Sequence, residues 1–138
     1  MAPIQVLISD DHHLVRQSLR ALLEREGFEV MGEAANGEEA VELAQKLRPD
    51  VVVMDISMPK LNGIEAMIRI RRVCPEINTV LLTMHTDRQY IVEGLRSGAK
   101  GYVMKTHAAK ELLRAIQEAA RGGTYLSPEI SGVVDQAD

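Results

Sequence analysis

The sequence predicts an α/β protein built as a doubly wound (βα)5 parallel sheet, with strand order 2-1-3-4-5. Five short runs rich in Val, Ile or Leu alternate with segments of helical periodicity. The runs are apolar at consecutive positions, as strands covered by helices on both faces must be. Right-handed crossovers between such strands wind the sheet in both directions from its middle, and a sheet of this kind binds ligands at the carboxyl ends of its strands.

Each element carries its own signal. Ile4 to Ile8 forms the first strand, and Leu14, Val15, Leu19, Leu22 and Leu23 stripe the helix after it, which Gly27 ends. Val30 to Ala34 is the second strand. Asn36 opens the next helix with Glu39 placed to reach back, Val41, Ala44 and Leu47 line its apolar face, and Pro49 stops it. Val51 to Met54 is followed by a helix between Asn62, paired with Glu65, and Pro75. Thr79 to Leu82 leads to a helix opened by Thr86 with Gln89 and closed at Gly98. Gly101 to Met104 is the fifth strand, and Leu112, Leu113, Ile116 and Ala120 stripe the last helix. Residues 1–122 therefore read as one domain. Gly122, Gly123, Ser127, Pro128 and Gly132 make residues 123–138 a fraying tail or the opening of a linker.

The bulk numbers narrow the function. A chain of 138 residues suits a single core, and 46% hydrophobic with 26% charged residues is ordinary for a soluble globular domain. No apolar run is long enough to cross a bilayer and no basic n-region opens the chain, so a cytoplasmic protein without a membrane partner is expected. The single cysteine, Cys74, fits a reducing compartment and reads as a small packing residue. A formal charge of −4 argues against these residues gripping nucleic acid themselves, which places any DNA binding in another domain.

Polar residues collect where the fold puts ligands: Asp10 and Asp11 after the first strand, Asp55 after the third, Thr83 after the fourth and Lys105 after the fifth. Three crowded carboxylates repel one another unless a cation sits among them, and hard oxygen donors select Mg²⁺ or Mn²⁺. A carboxylate can accept a phosphoryl group when the donor is aligned and the charge on the phosphoryl oxygens is neutralised, which the cation, Lys105 and the Thr83 hydroxyl can supply.

The segments Ile8-Ser9-Asp10-Asp11-His12, Val53-Met54-Asp55-Ile56-Ser57-Met58-Pro59 with Asn62-Gly63, Leu81-Leu82-Thr83, and Gly98-Ala99-Lys100-Gly101-Tyr102-Val103-Met104-Lys105 resemble, in order and spacing, the receiver domains of bacterial two-component response regulators. The resemblance covers residues 4 to 122 and implies a flavodoxin-like, CheY-like fold. It implies that Asp55 is phosphorylated by a sensor histidine kinase and that Asp10, Asp11, Asp55 and the Ser57 carbonyl hold Mg²⁺. It further implies that Lys105 contacts the phosphoryl group, that Thr83 binds it in the activated state, and that Tyr102 is the switch aromatic. The surface of helix 4, strand 5 and helix 5, from about Thr86 to Arg121, is then the switching surface, with a homodimer as a candidate assembly. The run Arg121-Gly122-Gly123-Thr124-Tyr125-Leu126-Ser127-Pro128 resembles the exit from receivers of the NarL/FixJ subfamily, which continue into a LuxR-type helix-turn-helix domain that regulates transcription. Such a receiver is a switch that reacts only on itself, with no released product of its own.

The chain departs from the family's pattern in two places. Thr106 stands where many receivers carry a proline after the lysine, often in a cis bond, and Met84 is bulkier than the small residue common after the threonine and would narrow access to the site. Plainer readings stand beside the functional ones. Asp11 alone could cap a helix, and Tyr102 could be a strand aromatic packed on helix 4. His12 and His13, adjacent on a helix, share no face for zinc, while His85 and His107 read as loop residues near the pocket. Met54, Met58 and Met84 read as packing, and Arg69, Arg71 and Arg72 as solvated helix surface. The enzyme rival, a Mg²⁺-dependent aspartyl-phosphate phosphohydrolase, usually has a second acid two residues after the nucleophile, where this chain has Ser57. A mononucleotide or flavin carrier would need a Gly-rich loop after strand 1, where Asp10-Asp11-His12-His13 would repel a phosphate.

Overall fold

The computed structural model describes residues 2–135. In chain order the elements are β1 (Gln5–Ser9), α1 (His13–Arg25), β2 (Glu29–Ala34), α2 (Gly37–Leu47), β3 (Val51–Asp55), α3 (Gly63–Val73), β4 (Asn78–Thr83), α4 (Arg88–Arg96), β5 (Gly101–Met104), a 3₁₀ turn (Lys105–His107), α5 (Ala108–Ala120), β6 (Tyr125–Leu126) and α6 (Pro128–Asp135). The strands form one parallel sheet of order β2-β1-β3-β4-β5-β6, which is the expected order with one strand added at its edge.

Side chains on a strand alternate between faces, so a run of consecutive apolar residues feeds two cores at once. Val6 and Ile8, Val51 and Val53, Val80 and Leu82, and Val103 pack with α1 and α5 through Leu19, Leu23, Leu112 and Ile116. Leu7, Val52, Met54, Leu81, Tyr102 and Met104 enter the opposite core with Met67, Ile70 and Ile91 of α3 and α4. Cys74 is buried there as a packing residue, as are Met54 and Met58, whereas Met84 is exposed.

Two of the three expected caps are present. Asn36 Oδ1 accepts the Glu39 N–H at 2.9 Å, and Asn62 Oδ1 accepts the Glu65 N–H at 2.9 Å. Thr86 does not cap α4: the cap position is Asp87, and its side chain makes no capping bond. Asp11 does not cap α1 either, since the cap residue is His12, without a side-chain bond. Arg71 is more than solvated surface, because its Nη1 donates to the Ser97 carbonyl at 2.6 Å and ties α3 to the end of α4. The peptide bond into Thr106 is trans, and Thr106 lies inside the 3₁₀ turn.

The larger difference lies after residue 122. Of residues 123–138, expected as a fraying tail or the opening of a linker, those through residue 135 do not fray but form a docked strand and helix, and residues 136–138 lie outside the described residues. β6 pairs with the open edge of β5, with Gly101 opposite Tyr125 and Tyr102 opposite Leu126. Ser127 Oγ accepts the Met104 N–H at 3.0 Å and donates to Glu111 Oε1 at 2.6 Å, and Tyr125 Oη donates to the same oxygen at 3.2 Å. Ile130 is fully buried in the core shared with α4 and β5. Glycine and serine mark this segment as a linker by composition, but an unpaired strand edge and an open apolar patch give it something to bind. Ile130→Ala is expected to cost about 2–5 kcal/mol in urea unfolding. A detached tail would leave stability unchanged.

Candidate functional site

Strand register assembles the site. Ser9 lies opposite Met54, Asp55 opposite Leu82, and Thr83 opposite Met104, so Asp10, Asp55, Thr83 and Lys105 emerge side by side at one rim of the sheet. Gly63 lets α3 begin directly against this rim: a Cβ there would lie 2.3 Å from the Asp55 carbonyl oxygen.

Lys105 Nζ lies 2.7 Å from Asp10 Oδ2 and 3.2 Å from Asp55 Oδ2, while the two carboxylate side chains are 0% and 5% exposed. Asp10 Oδ1 accepts the His12 N–H at 2.8 Å, and Asp55 Oδ1 accepts the Ser57 N–H at 3.3 Å. Burial raises the Asp55 carboxyl above its ordinary range and the Asp10 charge adds to this, against Lys105 and the Ser57 N–H. Burial also works against the Lys105 charge, but its bond to Asp10 and the Asp55 charge outweigh it and hold the ammonium above its usual range.

Asp11 is exposed and completes the group. One ligand atom from each of Asp10, Asp11, His12 and Asp55 falls within a 4.8 Å span. Oxygen donors predominate and the formal negative charge exceeds what Lys105 balances, a donor set that suits a hard divalent cation. Of the two adjacent histidines only His12 joins the cluster, its Nδ1 being 3.1 Å from Asp11 Oδ1, whereas His13 Nδ1 lies 3.3 Å from Arg16 Nη2. Placement of an imidazole beside Asp11 was not legible from the dipeptide alone.

Thr83 Oγ1 donates to the His85 carbonyl at 3.0 Å and accepts the His85 N–H at 3.1 Å, which folds the loop after β4 back on its own hydroxyl. Beside it a cleft of about 410 Å³ is lined by residues that include Ser57, Asn62, Thr83, His85, Tyr90 and Glu93. Met84, the residue after Thr83, is exposed. Tyr102 is fully buried on the α4 side of the sheet and donates from Oη to the Tyr90 carbonyl at 3.1 Å. Burial, and next the Glu93 charge, raises its phenol well above the usual range. Sequence reasoning missed what makes room for that ring: a Cβ at Gly94 of α4 would lie 2.8 Å from Tyr102 Cε2. A glycine inside a helix costs about 1 kcal/mol relative to alanine, and that penalty was the available signal. His107, expected as a loop residue near the pocket, lies in the 3₁₀ turn with its Nδ1 2.9 Å from Glu129 Oε2.

Taken together, the sheet order and the acid-lysine rim define a flavodoxin-like α/β protein with a clustered carboxylate site at the strand ends. The chain belongs to the response regulator receiver domain family, whose model matches residues 6–117. It is 40% identical over 129 residues to the transcriptional regulatory protein DegU of Brevibacillus brevis, covering 93% of this chain and 55% of that regulator's length. Among solved structures, a LuxR-family two-component response regulator from Aurantimonas is similar with a TM-score of 0.92 and 35% identity, covering 97% of this chain and 96% of that one. The isolated receiver domain of RcsB from Salmonella enterica serovar Typhimurium, determined with the phosphomimetic BeF₃⁻, is similar with a TM-score of 0.85 and 28% identity over 95% of this chain and 98% of that one. These relatives fit the NarL/FixJ subfamily that the exit from α5 resembles, and no described helix is long and apolar enough to cross a membrane.

The raised Asp55 carboxyl fixes the sign of a stability effect. A group whose folded pKa lies above its unfolded value of 3.8 adds stability below that value and loses it as pH rises through the folded one. Above the folded pKa that contribution is gone, so the ionised carboxylate is a destabilising feature of the metal-free protein. Asp55→Asn is expected to raise the melting temperature in EDTA by about 2–6 °C, equivalent to roughly 1 kcal/mol. A lower melting temperature would contradict this account of the pocket.

Proposed function

We propose that Asp55 accepts a phosphoryl group from a sensor histidine kinase and that this charge switches the α4-β5-α5 side of the domain. The observation that carries the reading is the Lys105 ammonium shared between the buried carboxylates of Asp10 and Asp55. It supports the roles resemblance implies: a nucleophile at Asp55, a phosphoryl contact at Lys105, and Asp10, Asp11, Asp55 and the Ser57 carbonyl as ligands of Mg²⁺ or Mn²⁺. The divalent ion, when bound, supplies the positive charge that neutralises the incoming phosphoryl oxygens.

An Asp55 carboxylate oxygen attacks phosphorus in line, an acylphosphate P–O bond forms, and the bond from phosphorus to the donor nitrogen or oxygen breaks. Lys105 holds one Asp55 oxygen and shares in neutralising the added charge. Thr83 must release the His85 main chain before its hydroxyl can turn to the phosphoryl group, and that rearrangement reaches Tyr102 through the loop leading into α4. Water later cleaves the acylphosphate, so the chain acts as a self-limited switch in the cytoplasm.

The chain spans 55% of the length of DegU, so in that regulator the matched receiver is one part of a longer protein. A DNA-binding domain of the LuxR type, joined after α6, would convert the switch into transcriptional control, with homodimerisation as the step between.

Incubation with acetyl phosphate and Mg²⁺ is expected to add one base-labile phosphoryl group, mapped by mass spectrometry to Asp55. Asp55→Asn should abolish it, and repeated turnover of the donor without an adduct would favour a phosphohydrolase instead. Lys105→Ala is expected to slow uptake about 10²-fold, the usual effect of losing one charge-stabilising donor. An unchanged rate would remove Lys105 from the mechanism.

A further inference from the structure

The acidic pair is held from behind by a side chain that the proposed reaction does not use. Arg16, on the first turn of α1, is 14% exposed at its side chain. Its Nη1 donates to the main-chain carbonyl of Asp10 at 2.7 Å, and its Nε donates to Glu33 Oε1 at 3.1 Å. Glu33, on β2, receives a second guanidinium on its other oxygen, Arg20 Nη1 at 2.9 Å. The bond from Arg20, then that from Arg16, holds the Glu33 carboxyl below its ordinary range despite burial. Glu33 is therefore an ionised anchor at neutral pH.

The Asp10 carbonyl belongs to the planar peptide that joins Asp10 to Asp11, so fixing its oxygen fixes the direction in which Asp11 leaves the strand. The preceding peptide is held as well, because the Asp10 N–H donates to the Ala34 carbonyl at 3.0 Å. Asp11 needs this control more than Asp10 does. Asp10 has Lys105 and the His12 N–H on its carboxylate, whereas among the described contacts Asp11 has the His12 ring, which also lies 3.3 Å from Asp10 Oδ1 and whose side chain is 67% exposed. A guanidinium presents donors in a fixed fork and can bridge a neutral carbonyl and a carboxylate together, which an ammonium on a flexible stem does poorly. Glu33 also offsets the Arg16 charge, so the brace need not compete with a bound cation.

We infer that Arg16, braced by Glu33, is a positioning residue that orients the Asp10–Asp11 peptide so that both carboxylates converge on one divalent ion, and thereby sets the affinity for that ion. The inference rests on the cation site proposed above. Residues that orient metal ligands commonly change affinity by about 10–100-fold when removed.

The test uses Mn²⁺ as the probe, titrated into the protein and followed by the electron paramagnetic resonance of the free ion, with Mg²⁺ in competition. Arg16→Ala is expected to weaken Mn²⁺ binding by about 10–100-fold. Arg16→Lys should fall between that variant and the unsubstituted protein. Glu33→Gln should weaken binding on its own and add nothing in the Arg16→Ala background, because Glu33 acts through Arg16. Should Arg16→Ala fail to fold, Arg16→Lys and Glu33→Gln decide the matter, with metal-free melting curves and circular dichroism confirming their folds. A role confined to stability would lower the metal-free melting temperature and leave the affinity of the folded variants unchanged, which overturns the inference. Failure of the unsubstituted protein to bind Mn²⁺ would overturn the cation site itself.

Discussion

Asp10 and Asp55 repel one another at the rim of an apolar sheet, and a single ammonium stands between them. Their side chains are almost wholly buried, where a charge without a partner is far more costly than in water. Lys105 answers both at 2.7 and 3.2 Å, leaving Asp11 to the solvent and to His12. The result is a pocket short of positive charge, with one carboxylate whose ionisation the fold opposes. The donor set of this pocket suits a hard divalent cation, whose charge would offset the excess of carboxylates. The strands beneath it are close-packed on both faces, so the carboxylates cannot relax apart by moving the backbone.

The same rim is wired to the outer edge of the sheet. Lys105 begins the 3₁₀ turn, and the residue before it gives its N–H to Ser127. His107, which closes the turn, lies 2.9 Å from Glu129 of α6. The turn that Lys105 opens is thus joined to contacts that hold the C-terminal strand and helix, while Tyr102, two residues before Met104 on β5, sits in the core that Ile130 completes. The expected switching surface of α4, β5 and α5 is thus partly covered by the chain's own residues 125–135. A signal leaving this surface has β6 and α6 in its path.

Much of this was legible from residues alone. Consecutive apolar runs identified β1, β3, β4 and β5 as strands buried on both faces, β2 being mixed and only partly buried, and all five strands lie within a residue of where the runs predict them. Asn36 and Asn62 announced two helices through caps that act within three residues. Strand ends in a doubly wound sheet meet at one rim by topology, so Asp10, Asp55, Thr83 and Lys105 could be grouped without coordinates.

The sequence by itself determined the strands and the set of charged residues at their ends, which follow from local periodicity, and the order through β5 was expected as a common doubly wound arrangement that the structure bears out. Tertiary structure alone decided the rest. Arg16 of α1 reaches the Asp10 carbonyl and meets Glu33 of β2 behind the acidic pair, the room for Tyr102 comes from Gly94 on a neighbouring helix, and the cap position of α4 falls on Asp87 and not on Thr86. Residues 125–135 are the clearest case, because a segment of glycine, serine and scattered apolar residues carries no strong preference of its own. It becomes a strand and a helix where an unpaired edge and an uncovered core accept it, and neither of those exists until the other five strands are in place.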